Sequence, residues 1–228
     1  MLMPGFSTPR IPAHIRLWLA AAITLALTPL LVTNVQGLLA QSSPIALARL
    51  LISETLIGAM IGLLGRFFFF ALETLVTGVA MAIGIANSFG SPIDETEPVP
   101  VLATLVMLTV TTLFFLTDQH WEVLRGLVAS YQAMPVADGF GVQFGLIQVA
   151  DTLSKAFSLA LRISSPFIAY AMIANFAVGL ANKLTPQIPV YFICSPFILA
   201  GGLFLLYFAF RQFLELFIAG FGGWLVSG

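Results

Sequence analysis

Residues 190–210 read VYFICSPFILAGGLFLLYFAF and contain no Lys, Arg, Asp or Glu. A helix rises 1.5 Å per residue, so about 20 apolar residues cross the roughly 30 Å hydrocarbon core of a bilayer. Residues 190–210 belong to a charge-free stretch that covers 184–210. Residues 17–48, 98–117 and 163–182 are also free of charge and long enough to cross. A charge at mid-bilayer costs about 2.5 to 3.5 kcal/mol on insertion scales, so these four stretches mark membrane elements.

The composition supports the same class of protein. Only 8% of the 228 residues are charged and 59% are hydrophobic, whereas about 25% of a soluble protein is charged. So few charges cannot solvate the surface of a soluble domain. The sequence therefore predicts an all-α polytopic membrane protein with about five to six long apolar helices.

Composition also excludes several functions. The formal net charge is −1, without the clustered Lys and Arg that nucleic-acid binding requires. Cys194 is the single cysteine, and His14 and His120 are the two histidines. These are too few for an intrachain disulfide or a His and Cys metal site, so no metal and no cofactor are expected.

The limits of several helices are less certain from the sequence. Pro29 and the polar residues that follow suggest that the first apolar helix is short and covers 17–32. Residues 45–86 are free of proline but carry four charges, and one helix of that length would measure about 63 Å. This segment is either a hairpin that turns near residues 65–66 or one long helix that leaves the bilayer.

The C-terminal third predicts two helices joined by a tight turn. The first covers residues 153–175 with a kink near Pro166, and the second covers residues 190–210. Pro186 and Gln187 are expected to break the helix between them and form a hairpin, because Pro lacks an N–H donor and disfavours helix at the preceding residue. Pro189 reinforces this break. The apolar tail after residue 213 is expected to loosen at its glycines.

A stripe of small residues in the 45–86 segment is a candidate contact with another chain. Glu54, Gly58, Gly62 and Gly65 are spaced by four, four and three residues, which places them on one helical face. Another backbone could approach closely there. Glu54 is then either a carboxylate hydrogen-bonded to a neighbouring helix or a member of a proton relay.

Three further charges in apolar segments are candidates for pairing between subunits. Arg66 and Glu73 are seven residues apart, roughly 10 Å along a helix, so each is expected to meet a partner in another helix or another chain. Arg162 either faces an aqueous lumen or an anionic group on a partner, or it extends to a membrane interface. Asp151 and Lys155 are expected to form a local pair.

Two groups of residues resemble catalytic or ligand sets. Asp118, His120 and Glu122 flank Trp121 at the end of an apolar stretch, and we interpret them as an interfacial belt and not a metal site. Ser164 and Ser165 could serve hydrolysis only with an activating motif, and no GxSxG elbow is present. The chain is therefore predicted not to be an enzyme.

The order of several segments resembles one family, the FliR-like subunits of the flagellar and virulence type III export apparatus. The matching stretches run along nearly the whole chain: RIPAHIRLWLAAAITLALTP (10–29), ETLIGAMIGLLGRFFFFALETLVTGVAMAIGIANSF (54–89), FFLTDQHWEVLRGLVASYQAMPVADG (114–139) and NFAVGLANKLTPQIPVYFICSPF (175–197). The last is the most specific, with its Gly, a basic residue and a Pro-Gln signature.

The resemblance implies a subunit of the export gate in the bacterial inner membrane, at the flagellar basal body or the injectisome base. The gate would be a hollow assembly with FliP-like and FliQ-like subunits. Residues 1–150 would form a FliP-like part and residues 151–228 a FliQ-like part. FlhB-like and FlhA-like proteins, unfolded export substrates and membrane lipid are the other partners implied. Both the flagellar and the virulence systems share these motifs.

In this family the loop after the Gly-rich helical region helps to close the pore, and it corresponds to residues 87–100 here. This segment is longer than most helix connections. It contains a glycine, two prolines and three acids that we single out: Gly90, Pro92, Pro98, Asp94, Glu95 and Glu97. We therefore expect a pore-closing loop, the alternative being a passive connector exposed to water.

One departure from the family lies at the N-terminus, where the chain opens at MLMPGFSTPR. Family members usually begin with a further apolar helix, so we expect a missing N-terminal helix, from a mis-assigned start or a truncation. The alternative function is a stand-alone secondary transporter or ion channel whose path is lined by the intramembrane charges. Transporters usually show two related halves, and no internal symmetry is visible here.

Overall fold

The computed structural model describes residues 12–39, 43–84, 100–133 and 141–227. Within these ranges the chain is helical, without strands. The helices, in chain order, are α1 Ala13–Leu39, α2 Pro44–Ala82, α3 Val101–Leu116, α4 Gln119–Ala133, α5 Val142–Leu184 and α6 Val190–Ser227.

Four of the described helices are long and apolar enough to cross a membrane, namely α1 over Ala13–Val32, α2, α5 and α6. Helices α3 and α4 together would add a fifth span, although they are bent by 69° at the break between them. The prediction of an all-α polytopic membrane protein is therefore confirmed.

Helix α1 is longer than the sequence predicts. It continues through Pro29 and through the polar residues beyond 32 to Leu39, so the short helix over 17–32 is wrong. Proline removes one hydrogen bond, which apolar helices tolerate. Polar residues such as Thr, Asn and Gln weaken a helix by less than about 1 kcal/mol each, which does not suffice to end it.

The 45–86 segment is one helix and not a hairpin. Helix α2 covers 39 residues without a break, which corresponds to about 58 Å. Gly65 and Arg66 lie inside it. A single glycine costs a helix about 1 kcal/mol, and neither residue supplies the Asn, Asp or Pro chemistry of a turn.

Helices α5 and α6 also extend past their predicted limits. Helix α5 begins at Val142 and not near residue 153, and it passes Pro166 without ending. Pro166 cannot donate to the Arg162 carbonyl, and the hydroxyl of Ser165 donates to that oxygen instead, at 2.8 Å. Helix α6 does not stop at Phe210 but continues through the glycine-containing tail to Ser227.

The described contacts form two compact units. Unit 1 comprises Met1–Phe69, Phe114–Lys155 and Gly222–Gly228. Inside unit 1, α1 contacts α4, and Phe68 lies 4.9 Å from Trp224 between ring centroids. Ring contact between Phe69 and Phe114, at 6.2 Å and nearly perpendicular, completes an aromatic core.

Unit 2 comprises Phe70–Leu113 and Ala156–Phe221. Its core consists of fully buried apolar side chains: Leu72, Ala80, Ala103, Val106, Val110, Phe217 and Phe221. Glycines in α6 allow close approach, because a Cβ on Gly220 would lie 2.6 Å from Leu159. The Tyr170 hydroxyl donates to the Ile198 carbonyl at 2.8 Å, which joins α5 to α6.

Candidate functional site

The proposed pore-closing residues Gly90, Pro92, Asp94, Glu95, Glu97 and Pro98 lie outside the described residues. The helix end that precedes them is described, in unit 2. Helix α2 ends at Ala82, and Gly84 follows in a left-handed conformation with φ of 81°, which favours glycine. The side chain of Asn175 on α5 lies 3.5 Å from the Ala82 carbonyl oxygen. Helix α3 then begins at Val101.

Glu54 meets a partner that the sequence did not suggest. The hydroxyl of Tyr131, near the end of α4, lies close enough to the Glu54 carboxyl group on α2 for the two to interact. Both residues belong to unit 1 and both are partly buried. The neighbouring Ser53 is 6% exposed, and its hydroxyl has no hydrogen-bond partner in the described part of the chain. Glu54 on α2 therefore lies beside α4 within unit 1.

We expect this contact to be measurable in a double-mutant cycle of Glu54→Gln and Tyr131→Phe. Residues in contact show coupling energies of about 0.5 to 3 kcal/mol, so the cycle should give a coupling energy on the order of 1 kcal/mol. Thermal unfolding of the chain in detergent, followed by its helicity, measures it. Tyr207→Phe is the control, because Tyr207 is 79% exposed and should not change stability. Additive effects of the two substitutions would contradict the contact.

The glycine stripe on α2 is open at one end and covered at the other. Gly58 is exposed, and a Cβ built on it would meet no atom within 4 Å. Gly62 is half-buried and Gly65 is buried. The open end near Gly58 leaves room for the approach of another helix, as packing in membranes requires.

The charges of α2 and α5 have different surroundings. Arg66 and Glu73 are half-buried, and each takes part in an interaction of this chain. Asp151 and Lys155 form the predicted local pair, with 2.8 Å between carboxylate oxygen and Nζ. Arg162 is exposed on α5, and no ion pair of its guanidinium occurs within the described ranges.

The hairpin between α5 and α6 is short and ordered by backbone hydrogen bonds. Helix α5 ends at Leu184 and α6 begins at Val190, so Pro186, Gln187 and Pro189 lie in the connection. The Ile188 N–H donates to the Thr185 carbonyl at 3.1 Å. The Pro189 carbonyl accepts from the Phe192 N–H at 3.0 Å and so starts α6.

The sequence places the end of an apolar stretch at residue 117, close to the end of α3 at Leu116, but it does not predict the 69° bend into α4. Asp118 adopts a left-handed conformation, φ 58°, which Asp tolerates better than most residues. His120 follows, with its ring centroid 5.6 Å from that of Phe115 and 5.7 Å from that of Trp121. The change from the apolar stretch 98–117 to the charged and polar residues that begin at Asp118 was the available signal.

Two groups of residues resembled ligand or catalytic sets in the sequence: the Asp118, His120 and Glu122 group, and the serines Ser164 and Ser165. In the described residues, neither group is arranged as a metal site or a catalytic site. Glu122 pairs with Arg125 at 2.6 Å, and among the described residues no group of three His, Cys, Asp or Glu side chains could hold a metal ion. Ser164 is 1% exposed, and no described group accepts from or donates to its hydroxyl. No base is therefore placed to activate this serine.

The long apolar helices define a polytopic membrane protein, with several charges in local pairs and a glycine stripe open at one end on α2. The chain belongs to the FliR family of bacterial export proteins, since a family model described as bacterial export proteins, family 1, matches residues 1–223.

Individual relatives agree with this assignment. The chain is 31% identical over 208 residues to the flagellar biosynthetic protein FliR of Caulobacter vibrioides, covering 90% of this chain and 81% of the relative. It is 27% identical to the protein of the same name from Escherichia coli K12, over 89% and 76% of the two chains. The Aquifex aeolicus protein of that name is 26% identical, over 89% and 77%.

Proposed function

We propose that this chain is a membrane subunit of the flagellar protein export apparatus. The observation that carries the proposal is the match of the export family to residues 1–223, together with relatives that are named flagellar biosynthetic protein FliR. Those names favour the flagellar over the virulence system. The chain contributes to the structure of the apparatus and to the passage of proteins through it, and it does not act as a catalyst.

In finer terms, the chain forms the export channel together with FliP-like and FliQ-like subunits in the inner membrane, at the base of the flagellum. Residues 1–150 act as the FliP-like part and residues 151–228 as the FliQ-like part. Helices α5 and α6 form a two-helix hairpin that contains the FliQ-like part, and α5 begins before that part, at Val142. FlhB-like and FlhA-like proteins deliver unfolded substrates to the channel.

Two surfaces take distinct roles in this proposal. The open end of the glycine stripe, at Gly58 on α2, receives a helix of a neighbouring subunit, because the space where its Cβ would lie is empty. Gly62, Arg66 and Glu73 continue this contact along α2. The loop over residues 87–100 closes the pore between export events.

Co-expression tests the assembly. An affinity-tagged chain is produced alone and together with its FliP-like and FliQ-like partners, and both preparations are solubilised in detergent. We expect a stable complex of all three proteins from the co-expressing cells, and an aggregated or rapidly degraded chain from the others. A monodisperse, fully helical monomer that ignores both partners would contradict the proposal and would favour a stand-alone transporter.

A further inference from the structure

The end of α5 and the beginning of α6 extend beyond the core of unit 2. All of residues 172–200 are described, and none of them is buried. The nearest buried residues on the core side are Ala171 on α5 and Gly202 on α6. We call residues 172–200 the hairpin tip. From residue 172 to the end of α5 at Leu184, the tip rises about 18 Å.

The pattern of exposure shows that the hairpin tip has little support besides its own two helices. On its α5 side, the half-buried residues are spaced by four and three: Ala174, Val178 and Ala181. This spacing is typical of a helix that packs against a single neighbour. A segment with few buried apolar contacts opens more readily than a core. The tip can therefore change position while the core of unit 2 stays folded.

Helix α6 has two weak points where the hairpin tip meets the core. Pro196 lies inside the helix, and it has no N–H to donate to the Phe192 carbonyl. The adjacent residues Gly201 and Gly202 give the backbone additional freedom. Sharp bends in helices occur at proline and at pairs of small residues. Helix α6 is therefore suited to bend between residues 196 and 202.

Gly202 lies on the fixed side of this bend. A Cβ built on Gly202 would overlap the Cγ2 atom of Ile83. Ile83 is itself 3% exposed and belongs to the core of unit 2. The side chain of Ile83 thus holds α6 against the core at residue 202, where the tip begins.

One hydrogen bond crosses from the core to the tip. Tyr170, next to the buried Ala171, donates its hydroxyl to the Ile198 carbonyl at 2.8 Å. Gly201 leaves room for this contact, because a Cβ there would overlap the Tyr170 hydroxyl oxygen and lie 3.0 Å from Cζ. In a regular helix the Ile198 carbonyl accepts from the N–H of residue 202. The tyrosine therefore binds α6 at the step that is suited to bend.

We infer that the hairpin tip pivots on the core of unit 2 at residues 196–202, and that the Tyr170 hydroxyl is the latch that holds it in place. Hinges of this kind take up the change in backbone angles at a few residues. The Asn175 amide, 3.5 Å from the Ala82 carbonyl oxygen, is a longer and weaker tie between tip and core. The inference concerns motion inside unit 2 and does not depend on the export role.

The motion is measured as the distance between two spin labels on the full chain, purified with co-expressed, cysteine-free partners or alone if no complex forms. In a Cys194→Ser background, Phe192→Cys places one label on the tip and Leu108→Cys places the other on α3 of unit 2. These side chains are 77% and 52% exposed. Loss of one hydrogen bond shifts an equilibrium about two- to tenfold, so Tyr170→Phe should raise the population of a second distance by about that factor.

Two controls accompany this measurement. Tyr207→Phe, at an exposed tyrosine of α6, should leave the distances unchanged. Labels at Leu108→Cys and Leu161→Cys, both outside the tip, should keep one distance in every variant. An unchanged tip distance in Tyr170→Phe would overturn the inference. A changed distance between residues 108 and 161 would also overturn it, because Tyr170 would then hold the core and not the tip.

Gly201 provides an independent test of the latch. Gly201→Ala places a Cβ on the Tyr170 hydroxyl, so it should displace the hydroxyl and raise the second distance as Tyr170→Phe does. The double variant should open the tip no further than either single change, because both remove the same bond. Gly179→Ala is the matched control inside the tip, where a Cβ would meet no atom within 4 Å. Additive opening in the double variant, or equal opening with Gly179→Ala, would contradict the role of Tyr170.

Discussion

Deletion of residues 90–97 from the assembled complex is expected to raise the leak of ions and small molecules across the membrane, while the complex itself still assembles. The deleted segment contains Pro92, and Pro98 follows it directly. Both prolines limit the freedom of the unfolded backbone and lower the entropy lost when one shape is held. The deleted segment also contains Asp94, Glu95 and Glu97, whose charges require contact with water, either bulk or in a lumen.

The fixed ends of the segment support this expectation. In unit 2, α2 ends at Ala82 with Gly84 in a left-handed turn, and α3 begins at Val101. Helix connections usually take about 2 to 8 residues, so the segment is longer than a simple link requires. Removing residues 136–139 from the segment between α4 and α5 provides a matched control, which should leave the leak unchanged. If the complex stays intact after deletion of residues 90–97 and the leak does not rise, this result would contradict the proposal that the segment closes the pore.

Gly202→Val is expected to destabilise unit 2 strongly. Gly202 is buried on α6, and a Cβ at this position would overlap the Cγ2 atom of Ile83 and come within 3.2 Å of its Cβ and Cδ1 atoms. The overlapping Cγ2 is attached directly to the Cβ of a β-branched side chain, which has little freedom to move aside. Overpacking of this kind costs about 1 to 3 kcal/mol, and more for a side chain larger than alanine.

The matched control for this substitution is Gly78→Ala on α2. A Cβ at Gly78 would meet no atom within 4 Å, and alanine forms helix better than glycine by about 1 kcal/mol. We therefore expect unchanged or raised stability for Gly78→Ala, a clear loss for Gly202→Ala and a larger loss for Gly202→Val. Thermal unfolding of the detergent-solubilised chain provides the comparison. Equal stability of the three variants would show that α6 does not pack closely on Ile83.

Charge-free stretches predicted where helices lie but not where they end. Helix α5 begins well before residue 153, and α6 continues well past Phe210. Local pairs explain both extensions, because Asp151 pairs with Lys155 and Arg211 with Glu215, each at 2.8 Å along one helix. Such pairs support a helix. A charge therefore limits the apolar stretch without ending the helix.

The hairpin connection and the contacts of the site differ in how far they follow from sequence. Pro186 and Pro189 stop a helix by local sterics, and α5 accordingly ends at Leu184. The contact between Tyr131 and Glu54 joins residues far apart in the chain, and no periodicity encodes it. The bend at Asp118 depends on one left-handed residue, which several residue types could occupy.

Export itself tests the central claim most directly. In the bacterium that carries this gene, the gene is deleted and the secretion of flagellar proteins into the medium is measured. We expect secretion to stop, to return with the wild-type chain and to stay absent with Gly202→Val. Flagellar proteins that are secreted at an unchanged level without this chain would contradict its role as a subunit of the export apparatus.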